Sequence, residues 1–103
     1  QLGHAGANVA NTGAGRPLIA PSPIMSRISR ETPKQMTIAD IDEIVDAHGT
    51  AAIRVRKGNL DGVELLSAFG YLPAAFLSPY SNTRTDDYGG SLENRMRFLL
   101  QTI

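Results

Sequence analysis

The segment DGVELL, residues 61–66, is the best starting point for the architecture of this chain. It is short, β-favouring at its centre and bounded by turn residues, which is typical of a buried strand. Before it, residues 37–58 carry apolar side chains at helical spacing, which predicts an amphipathic helix. Thr37 with Asp40 three residues on marks the helix start, and Gly58 marks its end. The apolar residues of this helix are Ile38, Ile41, Val45, Ala52 and Val55.

The same order is repeated around this core segment. Ser91 is a good N-cap for a second helix, which we expect to bury one face. Residues 1–4, QLGH, form a plausible strand that leads into the Gly-rich run 6–15. A βαβα order implies an α/β fold with parallel strands, and two such units alone leave sheet edges open, so they belong to a larger barrel or doubly wound sheet. The face predicted for the second helix is Leu92, Met96, Leu99 and Ile103.

Composition excludes several classes of function. The 103 residues carry ten basic and ten acidic side chains and no Cys, so there is no basic face for nucleic acid, no disulfide framework and no cysteine nucleophile. His4 and His48 cannot form a metal site by themselves. No apolar run reaches the roughly 18 residues of a membrane span. We expect a soluble, cytoplasmic protein acting on a small molecule, and a chain that begins with Gln1 reads as part of a longer one.

Residues 68–94, AFGYLPAAFLSPYSNTRTDDYGGSLEN, form a segment of the length that usually carries function. Together with DGVE before it and R-x-R-F after it, this segment resembles the Old Yellow Enzyme family of FMN-dependent oxidoreductases, which includes dienoyl-CoA reductases and trimethylamine dehydrogenase. QLGHAG at residues 1–6 resembles the family's third barrel strand, and APS at residues 20–22 its continuation. The resemblance implies that residues 1–103 are part of a (β/α)8 TIM barrel, its third and fourth βα units. Such barrels need about 250 residues.

The resemblance also implies roles for individual residues. Gln1 matches the glutamine that hydrogen-bonds the pyrimidine edge of FMN, and His4 is a local hydrogen-bonding residue near the flavin. Tyr71 matches the tyrosine that donates a proton to the substrate carbon after hydride arrives from reduced flavin, with NAD(P)H as the reductant. The plainer alternatives are a polar strand end for Gln1 and an aromatic side chain packed under a loop for Tyr71.

The substrate pocket departs from the family pattern. Leu66 and Phe69 stand where the reductases carry His and then His or Asn, the pair that hydrogen-bonds the substrate carbonyl. Gly3 replaces a larger residue at the pocket edge, and Ala7 replaces a frequent Arg. We therefore expect a wider, more apolar pocket without the usual oxyanion donors. The Tyr71-Leu72-Pro73 form of the loop also resembles the amine dehydrogenase branch.

Other polar residues are better explained by structure than by chemistry. Glu64 is expected to point into the barrel, where a buried carboxylate needs a cation or donors. The residues Arg84, Asp86, Asp87 and Tyr88 are expected to form a polar network that fixes the long loop onto the following helix. A tight turn at Gly89 and Gly90 precedes the Ser91 cap. Gly13, Gly15 and Arg16 give only a weak signal for phosphate binding.

These observations support one main function and leave alternatives open. The main expectation is a segment of an FMN-dependent NAD(P)H oxidoreductase that passes hydride through flavin to an organic acceptor. The isolated chain is expected to be inactive unless further copies or the remaining barrel segments complete it. The alternatives are a non-catalytic βα fragment or relic, and an amine dehydrogenase-like member of the same family.

Overall fold

The computed structural model describes residues 1–9 and 16–103, and the Gly13 and Gly15 signal lies outside these residues. Two short strands and three helices are formed along the chain. In order they are β1 (Ile19–Ala20), β2 (Lys34–Gln35), α1 (Ile38–Lys57), α2 (Leu72–Leu77) and α3 (Leu92–Thr102). The predicted α/β character is therefore confirmed.

The first predicted helix is confirmed almost to the residue as α1. Its N-terminus has a full capping box, in which the Thr37 hydroxyl accepts from the Asp40 N–H and the Asp40 carboxylate accepts from the Thr37 N–H. At the other end the Gly58 N–H donates to the carbonyl of Arg54 at 2.9 Å. His48 is buried in this helix, and its ring Nδ1 lies 2.8 Å from the carbonyl oxygen of Ile44.

Helix α3 also begins where predicted, with the Ser91 hydroxyl accepting from the Asn94 N–H. Its buried face was predicted in part: Met96 and Leu99 are half-buried, but the prediction is wrong for Leu92 and Ile103 and omits Phe98. Phe98 is fully buried, whereas Leu92 is 59% exposed and Ile103 is 88% exposed. The aromatic ring decides the orientation, because Phe98 stacks on Phe76 of α2 with ring centroids 4.4 Å apart.

The core lies where α1, α2 and α3 meet. Phe76 is its centre, stacked on Phe98 and edge-to-face with Tyr88 at 6.3 Å. Helix α2 was not predicted, because the sequence suggested a continuous loop. Pro73 in its first turn was the available signal. The buried core residues are Met36, Ile41, Leu72, Phe76, Tyr88 and Phe98.

The parallel pair β1–β2 was not predicted either. Ile19 pairs with Lys34 and Ala20 pairs with Gln35, in parallel register. Each strand is only two residues long, so neither produces a detectable alternation of apolar and polar side chains.

The prediction of a buried strand at residues 61–66 is wrong. This segment forms a single parallel bridge, Leu2 to Leu65, and residues 61–64 are exposed. A strand is formed by backbone hydrogen bonds to neighbouring strands, and within the described residues this segment has a neighbour on one edge only. The same bridge is all that forms from the strand expected at residues 1–4. Glu64, expected to be buried, is exposed for the same reason.

The polar network predicted around Arg84 is present and reaches further than expected. The buried guanidinium pairs with the Asp86 carboxylate, with Nε–Oδ1 at 2.9 Å, and also donates to the carbonyls of Pro21 at 3.1 Å and Met36 at 2.6 Å. Tyr88 donates its hydroxyl proton to Gln101 of α3 at 3.0 Å. The network therefore ties the loop before α3 both to that helix and to the segments flanking β1 and β2.

The turn into α3 depends on glycine. A Cβ added at Gly89 would lie 2.1 Å from the carbonyl oxygen of Arg84, and Gly90 has a φ of +77°. Both observations agree with the predicted tight turn before Ser91. Within the described ranges, no helix is both long enough and apolar enough to cross a membrane.

Candidate functional site

Two chain segments that are distant in sequence lie side by side and carry most of the predicted site residues. The Leu2 N–H donates to the Glu64 carbonyl at 2.7 Å, and the Leu66 N–H donates to the Leu2 carbonyl at 2.8 Å. This parallel pairing places Gly3 against Leu66, since a Cβ at Gly3 would lie 3.2 Å from the Leu66 Cβ. The two predicted pocket residues are therefore neighbours, and the absence of a side chain at Gly3 leaves space for Leu66.

His4 is a neutral hydrogen-bond donor. Its Nδ1 accepts from the Gly6 N–H at 3.0 Å, so the ring proton is on Nε2. Burial lowers the pKa of the His4 imidazole, and the nearby His48 lowers it further. The predicted local hydrogen bond is present, and within residues 1–9 and 16–103 the Nε2–H has no hydrogen-bond partner.

The turn at residues 68–71 is held by a side chain that the sequence analysis did not single out. The Nδ2 of Asn8 donates to the carbonyls of Phe69 at 3.1 Å and Gly70 at 2.9 Å. Its Oδ1 accepts from the Ser26 hydroxyl at 3.0 Å. Because the bonds to Phe69 and Gly70 join residues about sixty positions apart, no local pattern around Asn8 could have shown them.

The backbone of this turn is unusual. Phe69 has a φ of +57° and Gly70 a φ of +71°, both in the left-handed region. Glycine adopts that conformation freely, whereas a bulky aromatic residue adopts it at a cost. A Cβ on Gly70 would lie 2.6 Å from the Asn8 Nδ2, so Gly70 also allows the amide to approach. The turn is thus fixed by Asn8 and Gly70 at the expense of strain at Phe69.

Tyr71 follows directly and begins α2. It is half-buried, and its ring lies edge-to-face with Phe69 at 6.4 Å. Over residues 1–9 and 16–103, its hydroxyl has no hydrogen-bond partner, and neither does the amide of Gln1. Phe69 is 81% exposed. The predicted residues therefore form two local pairs, Gly3 with Leu66 and Phe69 with Tyr71.

The side chains predicted to form the site are uncharged, and only some of them can donate a hydrogen bond. Gln1 offers a donor and an acceptor, and His4 and Tyr71 each offer one proton. Leu66 and Phe69 offer none, so these two positions provide no oxyanion-stabilising pair. An uncharged heterocyclic edge, such as the pyrimidine ring of a flavin, is the kind of group that Gln1 and His4 could hydrogen-bond.

Known proteins match the whole chain. The sequence profile of the NADH:flavin oxidoreductase / NADH oxidase family matches residues 1–103. The NADPH dehydrogenase of Geobacillus thermodenitrificans is 48% identical over 103 residues, 100% of this chain and 29% of that protein. A metal reductase of Desulforamulus reducens is 45% identical over 103 residues, again 100% of this chain but 15% of that protein. The chain therefore spans less than a third of each of these relatives.

Solved structures agree with the sequence comparison. Morphinone reductase superposes with a TM-score of 0.85 at 31% identity, covering 96% of this chain and 31% of that one. A 2-naphthoyl-CoA reductase in complex with 2-naphthoyl-CoA superposes with a TM-score of 0.78 at 42% identity, covering 84% of this chain and 13% of that one.

These neighbours are TIM-barrel enzymes of the Old Yellow Enzyme family, which is FMN-dependent, so the expected family is confirmed. By the match over its full length, this chain belongs to the NADH:flavin oxidoreductase / NADH oxidase family.

Proposed function

We propose that this chain is the segment of an FMN-dependent NAD(P)H oxidoreductase that supplies the third and fourth βα units of its (β/α)8 barrel. The observation that carries the proposal is the parallel pairing of Leu2 with Leu65, which places Gly3 beside Leu66 at the same end of two adjacent segments. In TIM-barrel enzymes that end of the strands carries the active site. The family match over residues 1–103 supports the same placement.

The chemistry supplied by bound FMN would be hydride transfer between a nicotinamide and an organic acceptor. The residues of this chain fit a role in binding it. Gln1 would hold the pyrimidine edge through its amide, which has no partner within the described part of the chain. His4 would donate from Nε2, because its Nδ1 is occupied by the Gly6 N–H.

Tyr71 would supply the proton that accompanies reduction. Its position is fixed from both sides, because the Tyr71 N–H donates to the Ala68 carbonyl at 3.0 Å and the next N–H, that of Leu72, donates to the His4 carbonyl at 2.8 Å. The second bond links the segment carrying the acid to the segment carrying the flavin ligands. A general acid needs such a fixed relation to the atom that it protonates.

Leu66 and Phe69 favour an apolar acceptor. Neither can donate a hydrogen bond to a developing enolate, and removal of one such donor costs on the order of a hundredfold or more in rate. The 2-naphthoyl-CoA complex of the structural neighbour shows that a relative takes an aromatic acyl group. We infer that the acceptor of this protein either is reactive enough without hydrogen bonds at these two positions or is activated by groups outside these residues.

A chimera tests the proposal in a complete barrel. The 103 residues replace the matching segment of the Geobacillus thermodenitrificans NADPH dehydrogenase, to which they are 48% identical. The purified chimera should retain FMN, detected by the flavin absorbance, and should oxidise NADPH. Gln1→Ala should weaken FMN retention, and Tyr71→Phe should slow acceptor reduction, while FMN retention and the rate at which NADPH bleaches the flavin in the absence of acceptor and oxygen are unchanged.

Two further results sharpen the interpretation. The double variant Leu66→His and Phe69→His should raise enone reduction by about a hundredfold, because it restores two donors. A folded chimera that retains no FMN would refute the cofactor role and favour the non-catalytic fragment. The isolated chain, titrated with FMN, tests whether copies of it form a flavin pocket without the other strands.

A further inference from the structure

A cleft of about 460 Å³ runs beside the turn that carries Tyr71. One wall comes from the segment after β1, and the other from α2 and the residues that follow it. Gly70 and Leu72, the two neighbours of Tyr71, both line the cleft. Its volume lies within the range of small-molecule sites, about 300–1,000 Å³. The cleft is therefore large enough for a ligand, and it is bordered by the two chain neighbours of the candidate catalytic residue, whose own side chain does not line it.

The interior of the cleft is apolar towards a ligand. Its aliphatic side chains come from both walls, with Ile24 on one side and Ala74 and Ala75 on the other. Two hydroxyls in the lining already donate their protons to the protein, Ser26 to Asn8 at 3.0 Å and Ser81 to the Ala75 carbonyl at 2.8 Å. A bound molecule would meet mainly methyl and methylene groups there.

The rim of the cleft has the opposite character. Arg27 lies there with the hydroxyl of Tyr80, which its guanidinium approaches to 3.5 Å. The Ser78 hydroxyl accepts from the Tyr80 N–H, so its proton is free for a ligand. The described lining contains no Asp or Glu, and over residues 1–9 and 16–103 no carboxylate forms an ion pair with Arg27. A cation and two hydroxyl donors without a counter-charge match an anion.

We propose that this cleft binds an amphipathic organic anion, with an apolar chain along Ile24 and Ala75 and a carboxylate or phosphate on Arg27 and Tyr80. The position next to Tyr71 gives the site a role. Resting on the proposed function, the cleft holds the tail of the acceptor whose reactive end Tyr71 protonates.

Binding can be measured without flavin or turnover. The isotope-labelled 103-residue chain is titrated with decanoate, decyl phosphate and decanol, each below its micelle concentration, and amide shifts are followed by NMR. We expect saturable shifts at Ser26, Gly70 and Ala74, with both anions binding more tightly than decanol. Decanoate against decyl phosphate distinguishes a carboxylate from a phosphate as the preferred group.

Two exposed arginines provide a matched pair of variants. Arg27→Gln should weaken anion binding roughly three- to tenfold and leave decanol binding unchanged, because a rim ion pair contributes modestly. Arg56→Gln, on α1 away from the cleft, should change neither. Ala75→Phe, which fills the cleft, should weaken all three ligands. Equal affinity for decanol and decanoate, or an equal effect of the two arginine variants, would overturn the proposal.

The same titration of the chimera extends the test to a complete barrel. The result then does not depend on whether the isolated chain folds well enough for NMR. Shifts or competition that depend on Arg27 support the site in either form. A chimera that retains FMN but binds neither anion refutes the cleft and leaves the oxidoreductase proposal intact. A chimera that binds anions through Arg27 but retains no FMN supports the cleft and refutes the oxidoreductase proposal.

Discussion

Arg84 is the side chain whose replacement should most affect the stability of this chain. Its side chain is 3% exposed and joins three separate segments, through the carbonyls of Pro21 and Met36 and the carboxylate of Asp86. Arg84→Met preserves most of the aliphatic stem and removes every donor. The two buried carbonyls then lose their charged partner, and each such loss costs about 1–3 kcal/mol.

The expected loss in the free energy of unfolding is therefore roughly 2–6 kcal/mol. The pair with Asp86 adds little, since that carboxylate is 43% exposed and screened by solvent. A domain of this size has a total stability of about 5–15 kcal/mol, so the variant should be severely destabilised or unfolded. The stability of Arg84→Lys should lie between those of the parent and of Arg84→Met, because an ammonium group keeps the charge but cannot reproduce the planar fork of donors.

Urea unfolding followed by far-UV circular dichroism measures the effect. Arg56→Met, an exposed position on α1, is the control and should change the stability by less than about 1 kcal/mol. An Arg84→Met variant within about 1 kcal/mol of the parent, with an unchanged denaturant slope, would show that the network is not needed for stability. That result would contradict the reasoning from buried carbonyls.

Three further predictions concern glycines, acid stability and the strained turn. Gly49→Ala should stabilise the chain by about 0.5–1 kcal/mol, because the position is helical and open. Gly89→Ala should instead destabilise it by about 1–3 kcal/mol or more, because the added Cβ clashes with a backbone carbonyl. Thermal unfolding midpoints that both rise or both fall in the two variants would contradict this. Hydrogen bonds from Lys34 and the N-cap lower the pKa of Asp40 from 3.8 to about 2, so its contribution is complete above pH 4 and is lost as the pH falls towards 2. Asp40→Asn should therefore flatten the fall of the unfolding midpoint between pH 4 and 2, and an unchanged slope would count against the assignment. Phe69→Asn should stabilise the chain by about 0.5–1 kcal/mol, since Asn tolerates a left-handed φ better than Phe, and a destabilised variant in a denaturant titration would contradict the strain at this turn.

Local signals predicted those parts of the fold that local interactions form. Helix α1 has a capping box between residues three apart and a glycine at its C-terminus, and both were visible in the sequence. The start of α3 was equally visible in Ser91. The buried face of α3 was not, because it depends on Phe98 meeting Phe76, and helical spacing alone does not show which apolar residue finds a partner.

The family resemblance predicted the site residues, and the structure bears on which of them lie close together. Gly3 and Leu66 were expected at one pocket, and the structure brings them together. Asn8 was missed, since its bonds to Phe69 and Gly70 cross about sixty residues of sequence. The prediction of a strand at residues 61–66 is wrong for a related reason. A strand is defined by its hydrogen-bonded partners, and a single partner of a few residues gives only one bridge.

The turn at residues 68–71 separates the scaffold of the site from its chemistry. Its shape is set by backbone carbonyls bonded to Asn8 and by the left-handed Gly70, and neither interaction involves the side chain at position 69. Leu66 likewise contributes its N–H to the pairing with Leu2, whatever its side chain. Donors at positions 66 and 69 can thus be replaced by apolar groups while Tyr71 keeps its place. On the proposed function, loss of the usual donors at these positions changes which acceptors the site can activate before it changes where Tyr71 stands.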